Sequence, residues 1–293
     1  MATTITAAQV KQLRDQTGAG MMECKSALTE ANGDFEEANT ILRKRGLASA
    51  AKKAGRTANE GLIAHTIAAD HSSGILAEVN CESDFVARTP DFVQLMANVV
   101  AEIEKAGDAA NDAWLKDPQG PVIKHVAPVI AKLGENMGVP RFMRYAGSGY
   151  VGQYVHPGAK IVVMVDIAGV TPAISGREEF VAFVKEIAMQ IAAVSPLYPT
   201  REAVPADLLE KEKAIYRAQM ENSGKPANVL EKIIEGKLGS FYKQTVLPDQ
   251  ESIRDTTGKT FVKDVIATAN QTLAAQLSVT RFVRMKVGEA APQ

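Results

Sequence analysis

The sequence contains no segment that could cross a membrane or direct export. No stretch approaches the roughly 20 consecutive apolar residues that a membrane-spanning helix needs. The N-terminus also lacks the basic and then apolar pattern of a signal peptide. We therefore expect a cytoplasmic protein that makes no membrane contact.

Cysteine and histidine are scarce as well. The two cysteines, Cys24 and Cys81, lie too far apart for a CxxC motif, and only four histidines are scattered along the chain. Structural zinc sites draw their ligands from closely spaced cysteines and histidines. The sequence therefore predicts no metal site, and it contains no motif that requires another cofactor.

Neither sign of charge dominates, and the common catalytic motifs are absent. The 33 basic and 34 acidic residues leave a formal net charge of -1, so no overall attraction to nucleic acid is expected. No GxxxxGKS/T, HExxH or GxSxG motif is present, and Glu82, Asp84 and His65 form no recognisable triad. We therefore expect neither an enzyme nor an RNA-binding protein; an RNP-type aromatic motif is also lacking.

The 293-residue chain is long for a single core, and its start has the pattern of a separate three-helix module. Thr6 and Gln9 have capping-box spacing at the start of a first helix. Asp34 has the position of a cap for the third helix, which Gly46 is expected to end. The alanine- and lysine-rich segment after Gly46 is either a helical extension or a tether, and we place the first boundary after residue 55.

Two adjacent methionines, Met21 and Met22, stand at the start of the second predicted helix. Neighbouring side chains on a helix point about 100° apart, so at least one of the two is expected to face outward. Methionine fills gaps in cores, and it also forms adaptable contact surfaces. From the pattern alone, both interpretations stay open.

A repeat covers most of the remaining chain. Residues 61–103 align with residues 149–191 without gaps, at an offset of 88. Both copies predict two strands and then a helix, and each ends with a further helix and strand. There Arg141-Phe142 matches Arg281-Phe282, an offset of 140, so the second copy has about 52 extra residues between its two helices. The repeat predicts an α+β fold with duplicated core subdomains, each built on an antiparallel sheet.

The extra residues form a segment of their own, at about 205–245. Its pattern predicts two helices joined by a turn at residues 223–226, where a glycine ends one helix and a proline opens the next. Apolar residues of the two arms are expected to face each other: Leu209, Ile215 and Tyr216 on the first, and Val229, Leu230, Ile233 and Ile234 on the second. A two-helix hairpin has little core of its own, so it is expected to lean on another chain.

The segment "NCESDFVARTP" at residues 80–90 joins the second strand of the first repeat to its helix. In the second copy Asp84-Phe85 is replaced by Pro172-Ala173, so the shared architecture does not require an acid and an aromatic at this place. From the pattern alone, Phe85 is either a plug in the core or a ring displayed on the turn. Asp84 is either a helix cap or part of a functional site.

Three segments give the sequence a family resemblance across nearly its whole length. They are "LRDQTGAGMMECKSAL" (13–28), "VNCESDFVA" (79–87) and "SGKPANVLEKIIEGKL" (223–238), and together they closely resemble bacterial translation elongation factor Ts. The resemblance implies a three-helix domain similar to ubiquitin-associated (UBA) domains, a core of two subdomains and an inserted helical coiled-coil hairpin. The implied ranges are 1–55 for the UBA-like domain, 56–147 for core subdomain N, 148–204 with 246–293 for core subdomain C, and 205–245 for the hairpin, a dimerisation element.

The resemblance also implies a function, that of a guanine-nucleotide exchange factor for elongation factor Tu. Such a factor promotes GDP release by disturbing the magnesium and phosphate site of the GTPase, and it breaks no covalent bond. Elongation factor Tu, GDP-bound or nucleotide-free, is therefore the implied partner. A homodimer and a 2:2 complex both stay open.

The site residues implied by the resemblance fall in four places. The element that intrudes beside the magnesium site corresponds to Ser83, Asp84, Phe85 and Val86, with Ser83 where the family usually has threonine. Contacts of the N-terminal domain correspond to Lys11, Arg14, Met21 and Met22. Further core contacts correspond to Leu133, Gly134, Glu135 and His156. Pro157 departs from the shorter family pattern beside His156, which from the pattern alone is equally a surface loop residue.

Overall fold

The computed structural model describes residues 4–147, 149–220 and 226–289, so residues 223–225 of the hairpin turn predicted at 223–226 lie outside the described residues. The chain begins with helices α1 (Ala7–Thr17), α2 (Met21–Glu30) and α3 (Phe35–Lys53). The first repeat contains β1 (Glu60–Ile67), β2 (Ser73–Cys81), α4 (Asp84–Ala87), α5 (Pro90–Ala106), α6 (Asp112–Leu115), α7 (Pro121–Leu133) and β3 (Met137–Ala146). The second contains β4 (Tyr150–Val155), β5 (Ile161–Ala168), α8 (Pro172–Ser175), α9 (Glu178–Val194), α10 (Ala206–Ala218), α11 (Ala227–Thr245), α12 (Val262–Leu273) and β6 (Ser278–Lys286).

The first two helices and the start of α3 enclose a small core of their own. Thr6 caps α1 through a capping box with Gln9, as predicted. Asp34 caps α3 by accepting a hydrogen bond from the Glu37 N–H at 2.8 Å. Leu28 is fully buried between the helices. The sequence thus predicted where these helices begin.

The end of α3 was predicted wrongly, because the helix continues through Gly46 to Lys53. At Gly46 α3 packs against α7, and a Cβ atom there would lie 3.5 Å from the Ala127 carbonyl oxygen. That distance is an ordinary van der Waals contact, so Gly46 lies within the packed contact of α3 with α7 and does not end α3. Ala50, one turn later, is buried in the core of the first repeat. The segment after Gly46 is thus a helical extension rather than a tether.

In the first repeat a three-stranded antiparallel sheet, in the order β1-β2-β3, packs against helices. Thr89 caps α5 and Pro90 is its first residue, which is a favoured place for proline. The apolar side of α5 buries Phe92 and its neighbours against β1 and β2, and α7 packs on α5. The sheet and helices of this repeat share one core.

The second repeat builds the same arrangement on a sheet in the order β4-β5-β6. Helix α9 takes the place of α5, and Phe180 takes that of Phe92; both rings are fully buried. Helix α8 lies at the repeat offset from α4, so even this short turn of helix is duplicated. The predicted α+β fold with duplicated antiparallel subdomains is confirmed.

The two sheets pack against each other and exchange equivalent hydrogen bonds. The Ile63 N–H on β1 donates to the Ala159 carbonyl oxygen at 2.9 Å, and the Val151 N–H on β4 donates to the His71 carbonyl oxygen at 2.8 Å. The two donors, like the two acceptors, differ by the repeat offset of 88. Each hairpin turn therefore covers part of the edge strand of the other sheet, whose backbone groups would otherwise be unpaired.

Each sheet also contains a buried acid paired with an arginine of its third strand. Arg141 Nε donates to Glu78 at 2.7 Å, and Arg281 Nε donates to Asp166 at 2.8 Å. The two acids are only 3% and 6% exposed. Each arginine also donates to a backbone carbonyl oxygen at the end of the third strand of the other repeat, at 2.9 and 3.0 Å. The ion pairs thus join strands within each sheet and tie the two repeats together.

Helices α10 and α11 form the predicted hairpin, but its inward faces differ from the prediction. Of the residues expected to face each other, Ile234 is buried, Ile215 and Val229 are exposed, and the rest are half-buried. The arms meet in part through the Lys237 ammonium, which lies 5.2 Å from the centre of the Tyr216 ring. The inward placement of Ile215 and Val229 was wrong, because two helices present only one stripe to each other and cannot enclose every apolar side chain.

A pH dependence of stability is expected from His65, on β1. Burial lowers the pKa of its ring, and the neighbouring Gln153 side chain offsets this in part. As the pH falls below the ordinary histidine pKa of about 6.5, the unfolded chain takes up the proton before the folded one does, so stability falls. We expect His65→Gln, which copies the residue at the equivalent position of the second repeat, to flatten the decline of the thermal midpoint between about pH 7 and about pH 5. The exposed His156→Gln is the control; an equal change in both variants would contradict this expectation.

Candidate functional site

The candidate site is the single helical turn α4 with the loop before it. Ser83 is the N-cap of α4, and its hydroxyl accepts a hydrogen bond from the Val86 N–H at 3.4 Å. Asp84 is the first helical residue, so its interpretation as the cap is wrong. Its half-exposed carboxylate instead accepts a hydrogen bond from Arg88 at 2.8 Å. An exposed ion pair of this kind contributes little to folding, which leaves Asp84 available to a partner.

Phe85 projects from α4 into solvent and is 81% exposed. The next two residues turn inward, since Val86 packs half-buried against the core of the first repeat and Ala87 is buried. A core plug would be buried, so that interpretation of Phe85 is wrong. In the second repeat α8 has the same anchor, the buried Ile174, and carries the exposed Ala173 where α4 carries Phe85. The aromatic ring is therefore an addition to a turn that the fold already provides.

Hydrogen bonds join the loop before α4 to the loop after α7, and each loop contributes a carboxylate that accepts from the other. One oxygen of Glu135 accepts from the N–H groups of Glu82 and Ser83 at 3.1 and 2.9 Å, and the other accepts from the Ser83 hydroxyl at 2.6 Å. Glu82 in return accepts from the Asn136 N–H at 2.6 Å. Arg56 lies 3.5 Å from the same Glu82 oxygen. These contacts hold the base of the α4 turn to the body of the first repeat.

Cys81 contributes to the same loop. Its buried thiol donates to the Ser83 carbonyl oxygen at 3.1 Å. Burial, followed by the nearby carboxylates of Glu135 and Glu60, raises the pKa of the thiol to about 11. Cys81 therefore stays neutral near neutral pH, and it is a structural hydrogen-bond donor rather than a reactive thiolate.

Leu133 and Gly134, which the resemblance places among the partner contacts, end helix α7. Leu133 is half-buried against the core of the first repeat. Gly134 is the C-cap residue, with φ at 81° in the left-handed region, and its N–H donates to the Ile130 carbonyl oxygen at 3.0 Å. No atom lies within 4 Å of a Cβ placed at Gly134. The open backbone at Gly134 is thus more accessible to a partner than the Leu133 side chain.

The N-terminal contacts implied by the resemblance all lie on the surface. Met21 and Met22 are 51% and 74% exposed, so both face outward, and their interpretation as core gap-fillers is wrong. Lys11 and Arg14 are exposed on α1. The N-terminal module thus exposes two methionines, a residue type that forms adaptable contacts, and two bases.

The turn between α1 and α2 lies beside the end of α7. A Cβ atom placed at Gly18 would be 3.8 Å from Lys132 Nζ, and a cleft of about 160 Å³ is lined by this turn, α3 and α7. Lys132 also pairs with Asp91, at the start of α5, at 2.6 Å. Lys132 directly precedes the 133–135 segment, so the turn between α1 and α2 lies near that segment.

His156 lies apart from this surface, in the turn between β4 and β5. It is exposed, and its Nδ1 is 3.2 Å from the Tyr154 hydroxyl. Lys160, from the same turn, pairs with Glu60 at the start of β1 at 2.6 Å. Across the described ranges no hydrogen bond links His156 to the other candidate residues.

The site is suited to insertion into a partner. It presents an aromatic ring and a carboxylate on an anchored turn.

Within residues 4–147, 149–220 and 226–289, no three His, Cys, Asp or Glu side chains are grouped so as to hold a metal ion. No helix in that part of the chain is apolar over a length that would span a membrane.

Sequence reasoning missed the residues that support the turn. Glu82 and Asn136 form one of the four hydrogen bonds between the two loops, yet neither was given a supporting role from the sequence. Glu82 adjoins the displayed motif, and this was the only available signal. Glu135 was expected at the partner surface, whereas its carboxylate is occupied by the loop before α4.

Comparison with known proteins gives a consistent result. A sequence model of the family described as "Elongation factor TS" matches residues 82–289. Proteins named elongation factor Ts are similar over almost the whole chain: that of Trichlorobacter lovleyi is 41% identical over 291 residues, that of Clostridium botulinum (strain Eklund 17B) 43% over 290, and that of Nitratiruptor sp. 42% over 293. Each alignment covers 97% of this chain and 93% of the relative. The matched range includes α4, Glu135 and His156.

Proposed function

Because the chain belongs to the elongation factor Ts family, we propose that it is a guanine-nucleotide exchange factor for elongation factor Tu, acting in the cytoplasm during translation elongation. The observation that carries the proposal is the exposure of Phe85 on a turn whose neighbouring residues are anchored. Burial of an exposed apolar ring by a partner lowers the free energy by roughly 25 cal/mol per Å² of apolar surface removed from water. The ring is thus poised for contact with a cleft in another protein.

The proposed mechanism is physical displacement. A GTPase holds GDP through a backbone cradle around the phosphates and through a magnesium ion, so loosening either lowers the affinity. Phe85 enters beside the metal site and Asp84 accompanies it, and together they displace the groups that order the magnesium ion and the phosphate loop. No covalent bond forms or breaks, and the factor therefore acts as a binding protein rather than as an enzyme.

Thermodynamic linkage explains how such a factor is released. If its binding lowers the affinity of elongation factor Tu for GDP by some factor, GDP lowers its affinity for elongation factor Tu by the same factor. The factor therefore stabilises the nucleotide-free state and leaves when a nucleotide returns. One molecule can serve many GTPase molecules in turn.

The direct test is release of a fluorescent GDP analogue from purified elongation factor Tu. In the presence of excess unlabelled nucleotide, the chain should raise the release rate in a manner that saturates with its concentration. An unchanged rate at every concentration would contradict the proposal. An adaptor for ubiquitin-like proteins, the alternative that the N-terminal module alone would suggest, makes no such prediction.

We expect the N-terminal surface to supply affinity and the α4 turn to supply the exchange step. Replacing Met21 and Met22 together with alanine should weaken the complex by about tenfold or more, since truncating interface anchors removes buried apolar contact. The maximal release rate at saturation should stay near that of the parent. Titration of elongation factor Tu by calorimetry, together with the release assay, separates the two quantities.

The matched control for the methionine pair is Val181→Ala, on the outer face of α9, where the valine is 50% exposed and lies outside the proposed contact. It should change neither quantity. Equal affinity of the parent and the double methionine variant would show that the N-terminal surface is not part of the complex.

We also propose the division of the chain that the resemblance implies, namely 1–55, 56–147, 148–204 with 246–293, and the hairpin at 205–245. The exposed Ile215 and Val229 support a role for the hairpin in contact with another chain. A homodimer and a 2:2 complex with elongation factor Tu would each cover them. Light scattering of the free chain and of the complex distinguishes the two.

A further inference from the structure

We propose that Glu135 is a positioning residue, which holds the base of the α4 turn so that Phe85 is presented in one orientation. The inference rests on the exchange function proposed above. It differs from a direct contact of Glu135 with elongation factor Tu, because Glu135 would act only through Ser83 and the turn that follows. The structure supports it in three steps.

The first step is the use of the Glu135 carboxylate. Both of its oxygens accept hydrogen bonds from the loop before α4, two from backbone N–H groups and one, at 2.6 Å, from the Ser83 hydroxyl. Hydrogen bonds to an ionised acceptor are roughly twice as strong as neutral ones. A carboxylate with three donors from its own chain has little capacity left for a partner. The Glu135 carboxylate is therefore placed to hold the loop before α4 rather than to bind a partner.

The second step is the dependence of α4 on outside support. The helix has four residues, and a single turn cannot be stable by itself because nucleation of a helix is unfavourable. Ser83 connects this turn to Glu135, since its hydroxyl donates to the carboxylate and accepts from the Val86 N–H. Loss of the carboxylate would release Ser83, which is the residue that caps the turn. The position of Phe85 would then be averaged over several conformations.

The third step is the comparison with the second repeat, which has no equivalent of this support. Thr171 matches Ser83 at the offset of 88, and Ala275 matches Glu135 at the offset of 140. Helix α8 nevertheless forms at the same place, and the Thr171 side chain makes no capping hydrogen bond there. The fold thus builds this turn without a glutamate. The support occurs only in the repeat whose turn displays an aromatic ring.

The test is a double-mutant cycle between Glu135→Ala and Phe85→Ala in the GDP release assay. Glu135→Ala alone should lower the maximal release rate about tenfold, since small displacements of a positioned group have effects of this size or larger. The dissociation constant of the complex should change by less than about threefold. In the Phe85→Ala background, Glu135→Ala should have almost no further effect, because Glu135 then has no ring to position.

Two further readouts distinguish positioning from a general loss of structure. Glu135→Gln keeps one acceptor oxygen for the two N–H groups and should recover the parent rate to within about threefold. Amide hydrogen exchange should become faster at Ser83 and Val86 in Glu135→Ala and stay unchanged in the strands. The thermal midpoint of Glu135→Ala should lie close to that of the parent, as Ala275 of the second repeat indicates.

Several results would overturn the inference. If Glu135→Ala slows the Phe85→Ala variant by the same factor as it slows the parent, Glu135 acts independently of the ring. A raised dissociation constant with an unchanged maximal rate would make Glu135 a direct contact. Melting of Glu135→Ala below the assay temperature would show that the fold requires it. A different failure, parent-like release by Phe85→Ala alone, would instead contradict the proposed role of the α4 turn.

Discussion

Replacing Phe85 with alanine is expected to slow GDP release from elongation factor Tu at least about tenfold while the thermal midpoint stays close to that of the parent. Truncating a buried interface aromatic typically removes about 2 to 4 kcal/mol of interaction. Because this ring is proposed to act in the exchange step, the loss should appear as slower release, and 1.4 kcal/mol corresponds to a factor of ten. The midpoint should not move, because the ring is 81% exposed and supports nothing in the free chain. Asp84→Ala should act in the same direction.

The matched control is Phe92→Ala, seven residues away on α5. Phe92 is fully buried, and Phe180 fills the equivalent place in the second repeat. Truncating a core phenylalanine costs about 3 to 5 kcal/mol of folding stability, so this variant should melt early. It should impair exchange only through loss of folded protein. Parent-like release by Phe85→Ala, with a lowered midpoint, would reverse the assignment of the two rings.

A large loss of stability is also expected from Arg141→Met. Its partner Glu78 is 3% exposed and also accepts hydrogen bonds from Asn80 Nδ2 and the Gly288 N–H. Removing the arginine leaves a buried carboxylate without its counter-charge, which typically costs about 3 to 5 kcal/mol. Circular dichroism during thermal unfolding should show a clearly lowered midpoint.

Two further variants test the cause of that loss. Adding Glu78→Gln to Arg141→Met should restore part of the stability, because the buried charge is then removed. Lys160→Met breaks the exposed pair with Glu60 and should cost at most about 1 kcal/mol, since solvent screens exposed pairs. If Arg141→Met and Lys160→Met lowered the midpoint equally, burial of the pair would not be the cause.

Much of the fold was predictable because the sequence repeats itself. Phe92 and Phe180 occupy matching places in matching helices. The same apolar pattern in two copies is stronger evidence for a helix and its buried face than the propensity of any single residue. Gly46 was misjudged for the opposite reason. Glycine commonly ends helices, but α3 continues through Gly46 because this part of the helix packs on α7. Ala127 of α7 is 81 positions away in the sequence and becomes a neighbour only through packing. Local preference is a weak prior where tertiary contacts decide.

The candidate site was predictable in position but not in construction. The motif around Phe85 was identified, yet whether the ring is buried could not be decided, because apolar character alone does not fix the side of a single turn. The support from Glu135 was not visible either. Its partner Ser83 lies 52 positions earlier, and no periodic pattern connects two loops that meet only after folding. Residues that support a functional side chain are therefore harder to identify in a sequence than the functional side chain itself.

The exchange of hydrogen bonds between the two sheets gives the core an internal two-fold symmetry. Ile63 of the first repeat contacts the hairpin turn of the second, and Val151 of the second repeat contacts the hairpin turn of the first. Two identical subunits related by a two-fold axis make reciprocal contacts of this kind. The core thus has the internal symmetry of a two-fold dimer within one chain. Because the two halves belong to one chain, they need not be identical. One half carries the glutamate and the phenylalanine and the other carries the long hairpin, so neither has to satisfy both tasks.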